Sequence, residues 1–393
     1  MLKNKKGASF GTIVAVFGSI LIALGVAWLI AQNWHQIPAA IKILILLTAT
    51  SAAYVAGTIF RTKNYAGIGN ALLVLGSLLY TLSIFLIAQI FATSTTWQGT
   101  SWLLLLAWVG VVAASYIFDS SISLIVAMVE FKVWLVTQFL AFMETGNYNT
   151  SPGILAFYFL ATAVLLYGLN LLHKSRNHRF SKVYQLWTAI YFLSFTYILS
   201  FQMLLPLMWP KETSSPTMSI VFLFFLSIAA LVSLITGIMK SISNRNVENK
   251  EITGFIVLVA LLAVLIGLTS FVSSQRSFSW FFGSRGEVST SLWAIWIFAN
   301  IVFLLAILAI IGYGTWQRLP HLINIGIMFF SLDIITRYIG FVMDLWGYTS
   351  LAIIFITGGI VLLVGGWFVE KWRKKLVAQA RTSIASKQSK KKK

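Results

Sequence analysis

Residues 9–31 read S-F-G-T-I-V-A-V-F-G-S-I-L-I-A-L-G-V-A-W-L-I-A, with no charged side chain among them. As helix, a stretch of this length rises about 34 Å, enough to cross a hydrocarbon core of about 30 Å. It follows a basic start, M-L-K-N-K-K, that a cleavable leader would share. Its apolar run is longer than a leader's core, so it is read as a retained first span.

Blocks of the same kind recur along the chain. Further spans are expected at Pro38–Phe60, Ala66–Phe91, Thr100–Phe118, Ser121–Met143, Pro152–Leu172, Lys182–Met208, Thr217–Lys240, Ile252–Val272, Ser291–Gly314, Pro320–Met343 and Thr349–Val369. The boundary at the Asp119-Ser120 turn is the weakest of these. Apolar residues make up 59% of the chain and charged residues 10%, whereas a soluble domain carries roughly a quarter charged residues. Mean hydropathy is +0.87. The alternation of a membrane β-barrel is missing, and backbone groups in lipid must be satisfied within each segment. The fold class is therefore all-α: a polytopic integral membrane bundle of about twelve helices.

Charge sets the orientation. With twelve spans and the N-terminus inside, 23 basic residues fall on the cytoplasmic side. Lys211, Arg276 and Arg285 fall outside. That asymmetry is the positive-inside pattern, and it places both termini in the cytoplasm and the protein in the cell membrane. The net charge of +19 is read the same way, not as a nucleic-acid footprint. The tail, with Lys371, Arg373, Lys374, Lys375 and the run Lys390–Lys393, meets anionic lipid headgroups. Outer edges carry Trp34, Trp97, Trp209, Trp280 and Trp346 as an interfacial belt. The outer segment S-S-Q-R-S-F-S-W-F-F-G-S-R-G-E-V-S-T-S (273–291) either lies on headgroups or forms a lid.

Ionisable residues inside spans cost about 2.5–3.5 kcal/mol each on insertion scales, so each needs a partner or a task. Asp333 and Arg337 lie one helical turn apart and share a face with Gly326, Gly340 and Asp344. They form either a self-neutralising pair or part of a substrate or proton site. Glu130 shares a face with Ser123, Ala127, Trp134, Thr137, Ala141 and Glu144, while Lys132 points 200° away. Each needs a partner on another helix, or water. Glu130 is either one end of an interhelical salt bridge, with Arg337 as the candidate, or a protonatable site in a cavity. Small residues at Gly11, Gly18 and Gly25, at Gly69, Gly76 and Ser83, and at Gly358, Gly359, Gly365 and Gly366 permit close helix crossing and homo- or hetero-oligomers.

Enzyme signatures are missing. His35, His173, His178 and His321 have no metal-ligand spacing, and no phosphate, dinucleotide or nucleophile-elbow motif occurs. No cofactor and no metal is expected. The absence of cysteine excludes disulfides, thiolate metal sites and cysteine nucleophiles.

The N-terminal region reads G-S-I-L-I-A-L-G-V-A-W-L-I-A-Q-N-W-H-Q-I-P-A-A-I-K, then Y-V-A-G, then G-N-A-L-L-V-L-G-S-L-L-Y and I-F-L-I-A-Q-I-F. This resembles the prokaryotic predicted-membrane-protein family catalogued as domain of unknown function 2157, with Gly18 to Gln89 carrying the likeness. The stretches N-I-G-I-M-F-F-S-L-D-I-I-T-R-Y-I-G and F-I-T-G-G-I-V-L-L-V-G-G-W-F-V-E-K-W-R-K-K-L resemble the C-terminal end of such proteins. The resemblance implies a prokaryotic multi-pass protein and supplies no activity and no catalytic residue. It sets the organisation as residues 1–145 (the resembling membrane region), 146–370 (the remaining bundle) and 371–393 (a basic tail). Within the resembling region, Asn33, Lys42 and Gln89 make a candidate outer rim for an anionic or carbonyl group, or a purely structural cap.

Three functional readings follow. The first is a transporter or lipid- or amphiphile-handling protein built around Glu130, Lys132, Asp333 and Arg337. The second is a structural or sensory membrane component. The third is an intramembrane enzyme, which would need two carboxylates converging on a water-filled cavity.

Overall fold

A computed structural model describes residues 36–91, 96–144, 151, 153–208, 218–243, 249–270 and 290–345. It also describes positions 28, 32, 356, 358–360, 363–367, 370–375 and 378. The expected first span apart from Trp28, most of the last span, Asn33 and the 273–291 segment up to residue 289 lie outside them.

Among the described residues the chain is helical. The helices are α1 (Ala39–Thr62), α2 (Ala66–Phe91), α3 (Trp97–Ile117), α4 (Ser121–Glu144) and α5 (Gly153–Ser175). They continue with α6 (Ser181–Leu199), a 3-10 helix η1 (Gln202–Leu207), α7 (Met218–Ser243), α8 (Asn249–Ser270), α9 (Thr290–Trp316) and α10 (Pro320–Leu345). Eight are long and apolar enough to cross a membrane: α1 to α5, α7, α9 and α10.

Four turns share one geometry. Asn64, Asp119, Asn177 and Arg318 have φ of 65°, 44°, 51° and 59°. Each is followed by a residue whose N–H reaches back five positions: Tyr65 to Phe60 O, Ser120 to Ser115 O, His178 to His173 O and Leu319 to Gly314 O (2.7–2.9 Å). This is the Schellman ending, in which one left-handed residue lets orphan helix carbonyls be satisfied. Asn and Asp tolerate that conformation. The Asp119-Ser120 boundary is therefore a true helix stop, and α3 and α4 are separate helices.

The chain forms two compact units, residues 1–95 with 102–130, and residues 96–101 with 131–393. In the first, α1 and α2 pack as an antiparallel hairpin. A Cβ on Gly57 would meet Leu73 at 3.0 Å, and one on Gly69 would meet the Gly57 carbonyl at 2.7 Å. A Cβ on Gly76 would meet the Tyr54 ring at 3.0 Å. Arg61 closes the end of the hairpin, donating to Phe118 O (2.7 Å) and Asp119 O (3.3 Å), while Tyr54 stacks on Phe118 at 5.0 Å. α3 joins through Gly110, whose missing side chain makes room for the Tyr80 ring.

In the second unit α5 and α7 form the most extensive helix pair. A Cβ on Gly168 would fall 2.4 Å from the Ser233 backbone, and one on Gly237 would fall 2.6 Å from Gly168 O. Ser233 Oγ donates across the pair to Leu165 O at 2.9 Å, and Tyr158 OH to Ser219 O at 2.9 Å. The far side of α7, with Phe224, Phe225, Ile228, Val232, Ile235 and Met239, is exposed. Such an apolar surface faces lipid in a membrane bundle.

One expected span is revised. Lys182–Met208 was read as one continuous helix, but α6 ends at Leu199, Phe201 is extended (φ −91°, ψ 119°), and η1 follows. Pro206 keeps the segment after the break from resuming as α-helix, since it lacks an N–H and its ring would clash with the Gln202 carbonyl four residues back. α6 is not among the eight crossing-length apolar helices. Instead Tyr184, Tyr191, Leu193, Phe195 and Leu199 are all buried.

Candidate functional site

Three polar clusters occupy the helix interiors, and the inward stripes explain their placement. On α4, Ser123, Ala127, Glu130, Trp134, Thr137 and Ala141 are all buried, while Val129 and Val133 are exposed. On α10, Gly326 and Gly340 are buried, while Met328, Leu332, Ile335 and Ile339 form the exposed stripe. Each helix therefore turns its polar face inward, as a costly buried charge demands.

The first cluster lies in the first unit. Thr81 Oγ1 of α2 is 2.5 Å from Glu130 Oε1 and 3.1 Å from Ser77 O. Among the described residues Glu130 Oε2 is buried without a hydrogen-bond partner. Tyr54 OH donates to Ser77 Oγ (3.3 Å), which donates to Leu73 O (3.0 Å), and Thr50 and Ser83 meet at 3.3 Å. Two hydroxyl pairs thus join α1 and α2, and Thr81 of α2 meets the carboxyl of α4.

The second cluster surrounds Lys132, in the second unit. Its Nζ donates to Ser194 Oγ of α6 at 2.9 Å. It lies over the rings of Phe159 and Tyr191, 5.3 and 5.6 Å from their centroids. The ammonium thus has cation–π and hydroxyl partners, and among the described residues it makes no ion pair. Among the described residues, Tyr191 OH and Trp187 Nε1 nearby on α6 are buried without hydrogen-bond partners.

The third cluster is built on the α6 break. The Ser200 carbonyl has left the helical ladder and accepts from Trp296 Nε1 (2.9 Å), Asn300 Nδ2 (3.2 Å) and Arg337 Nη2 (2.9 Å). Arg337 also donates to Ser200 Oγ (2.7 Å), Asn300 Oδ1 (2.8 Å) and Asp333 Oδ1 (3.2 Å), and its guanidinium sits 5.1 Å from the Phe201 ring. The C-terminal end of a helix carries partial negative charge, so a cation there is favoured. Tyr197 OH donates to Thr336 Oγ1 at 3.0 Å and ties α6 to α10 one turn away. Beside the cluster lies a cleft of about 490 Å³ lined by Trp296, Asn300, Phe330, Asp333 and Arg337. A second cleft, about 310 Å³ and almost wholly apolar, lies among α5, α6, α8, α9 and α10, with Gln185 and Thr188 as its polar marks.

Of the residues singled out from sequence, Asp333 and Arg337 are brought together. Glu130 and Lys132 each find partners on other helices, Thr81 for one and Ser194 for the other. Lys42, in the first turn of α1, and Gln89, in the last turn of α2, stand at the same end of the antiparallel hairpin. Gln89 is exposed, and Asn33 lies outside the described residues. Thr81, Ser194, Ser200, Trp296 and Asn300 escaped the sequence reading. Asn300 carried a signal, being an amide within the apolar run A-I-W-I-F-A-N-I-V-F-L-L-A, and Pro206 pointed to the break. Thr81 and Ser194 are ordinary hydroxyls with no signal.

Beyond the spans, Glu370 takes two hydrogen bonds from Arg373, both 2.7 Å, and Lys371 lies 5.0 Å from the Trp367 ring. The Arg373 guanidinium holds the Glu370 carboxyl below its ordinary range.

Apolar helices that turn buried ionic and hydroxyl clusters inward define the class: a polytopic α-helical membrane protein. Residues 1–124 match the family model described as predicted membrane protein (DUF2157), where the N-terminal resemblance also lay. That match spans about a third of the chain and ends within α4. No curated protein and no solved structure matches the chain.

Proposed function

We propose that this protein handles an amphiphile within the bilayer, taking its polar end at the Arg337 cluster, in transport or lipid movement. The observation that carries the reading is the cleft of about 490 Å³ with Arg337, Asp333 and Asn300 on its wall and apolar side chains around them. Ligand sites are concave, mostly apolar and marked by a few placed polar groups. The broken helix adds support, since interrupted helices supply backbone groups to sites at membrane depth. A guanidinium suits an acidic or phosphate head, which it meets with a planar fork of donors. The basic stretch Lys371–Lys375, beside Trp367, fits a cytoplasmic surface of anionic headgroups.

The test is native mass spectrometry of protein released from mild detergent, paired with flux in proteoliposomes. Bound amphiphile is expected on the wild type and lost from Asn300→Leu, which fills the cleft without removing the ion pair. Equal occupancy in both, with no flux of any lipid, would remove the reading.

A second reading has one observation in its favour. Arg337 is already engaged by Ser200, Asn300 and Asp333, which suits a structural clamp in a scaffold or sensory component. Capture of partner membrane proteins that persists in Asn300→Leu would favour it.

A further inference from the structure

We infer that Glu130 is a proton-binding carboxyl in the first unit, holding its proton at neutral pH and donating it to Thr81. The inference concerns this unit alone and stands whether or not the second unit binds an amphiphile.

The argument is a count of hydrogens. Thr81 has one hydroxyl proton, yet its oxygen lies within hydrogen-bond distance of two acceptors, Ser77 O at 3.1 Å and Glu130 Oε1 at 2.5 Å. Were Glu130 an anion, Thr81 would have to share that single proton between the two acceptors, and the short 2.5 Å contact would be only half of a bifurcated bond. With the proton on Glu130, its O–H donates to Thr81 Oγ1, and Thr81 donates onward to Ser77 O. Both distances are then satisfied at once, since a hydroxyl can donate one bond while accepting another.

Three further observations agree. Glu130 is 8% exposed, and Oε2 has no hydrogen-bond partner among the described residues. A carboxylate with one oxygen so placed would be an unsolvated charge, whereas the carbonyl oxygen of a neutral acid tolerates the site. Among the described residues Glu130 also makes no ion pair. On α1 the titratable neighbour is Tyr54. α3 contains no acidic or basic residue. On α4 itself Lys132 points 200° away and bonds Ser194. Arg61 is engaged with the carbonyls of Phe118 and Asp119. Glu130 also lies ten residues into the twenty-four-residue α4, and Thr81 sixteen into the twenty-six-residue α2, so the site is near mid-depth.

Infrared difference spectra of the full-length protein in phospholipid vesicles test the inference. At pH 7, subtracting Glu130→Gln from wild type is expected to leave the C=O band of a protonated carboxylic acid. Thr81→Val is expected to move that band to higher wavenumber, because the acid O–H loses its acceptor. A carboxylate doublet in place of the acid band would overturn the inference. A second readout is dicyclohexylcarbodiimide. The acid adds its O–H across a C=N bond, the proton going to nitrogen and the oxygen to carbon, and the adduct rearranges to a stable N-acylurea. Modification at Glu130 found by peptide mass spectrometry supports the inference. Protection by sodium at fixed pH would overturn it in favour of a metal cation. Glu130→Gln is expected to fold, since its amide N–H can serve Thr81 as the acid does. If it does not, the wild-type band and its Thr81→Val shift still decide the matter.

Discussion

Removing Arg337 while leaving Asp333 in place should destabilise the protein by about 3–4 kcal/mol. Breaking a buried ion pair from one side costs about 3–5 kcal/mol, chiefly because the survivor is left charged and unpaired. Here the Asp333 side chain is 26% exposed and that of Arg337 18%, so partial solvation brings this share down to about 2–3 kcal/mol. Arg337→Met orphans one further acceptor. Ser200 O keeps Trp296 and Asn300, and Ser200 Oγ keeps its own bond to Tyr197 O, but Asn300 Oδ1 loses its partner. That adds about 1 kcal/mol. Asp333→Asn should cost about 1 kcal/mol, since the guanidinium retains Ser200 and Asn300. In the double variant no charge is left stranded, so it should be more stable than Arg337→Met alone. The cycle should give a coupling of about 2 kcal/mol. The assay is unfolding in mixed micelles by rising dodecyl sulfate, followed by tryptophan fluorescence; thiol dyes do not apply to a chain without cysteine. Effects that add to within about 0.5 kcal/mol would refute the reasoning and show that Asp333 does not depend on Arg337.

Three other outcomes are expected by the same assay. Gly168→Ala should cost about 1–3 kcal/mol, because its Cβ would sit 2.4 Å from the Ser233 backbone, whereas Gly267→Ala, with open space around it, should be neutral or slightly stabilising; equal effects would remove the close-approach argument. Asn64→Val should cost about 1–2 kcal/mol at its left-handed φ of 65°, and Asn64→Gly nothing; indifference to both would mean the turn takes another form. Lys132→Met should be neutral or stabilise by up to about 1 kcal/mol, since the insertion penalty of a lysine roughly offsets its ring and Ser194 contacts. A loss above about 2 kcal/mol would mean that the ammonium has a countercharge.

The helical membrane class was legible because solvent imposes it on composition, and most helix starts were legible because Pro, Ser and small residues mark them. Ala66, Ser121 and Pro320 were placed to the residue. The inward faces of α4 and α10 were also legible, since helical periodicity fixes which residues share a face. The α6 break was not, because Q-M-L-L-P-L is mostly apolar, and a hydropathy window averages over a backbone change there. Nor were the partners of the ionic residues legible. Thr81 is 49 residues from Glu130, Ser194 is 62 from Lys132, and Ser200 is 137 from Arg337. Periodicity says which way a side chain points but not what waits there.

The three donors gathered on the Ser200 carbonyl have a consequence for biogenesis. They arrive 96, 100 and 137 residues after it in the order of synthesis. A segment of modest hydropathy such as α6 leaves the translocon with little affinity for lipid of its own, and its frayed end gains its anchors only when α9 and α10 have been made. Until then it has to wait beside α5, and a ribosome stalled before Arg337 would strand it there half-inserted.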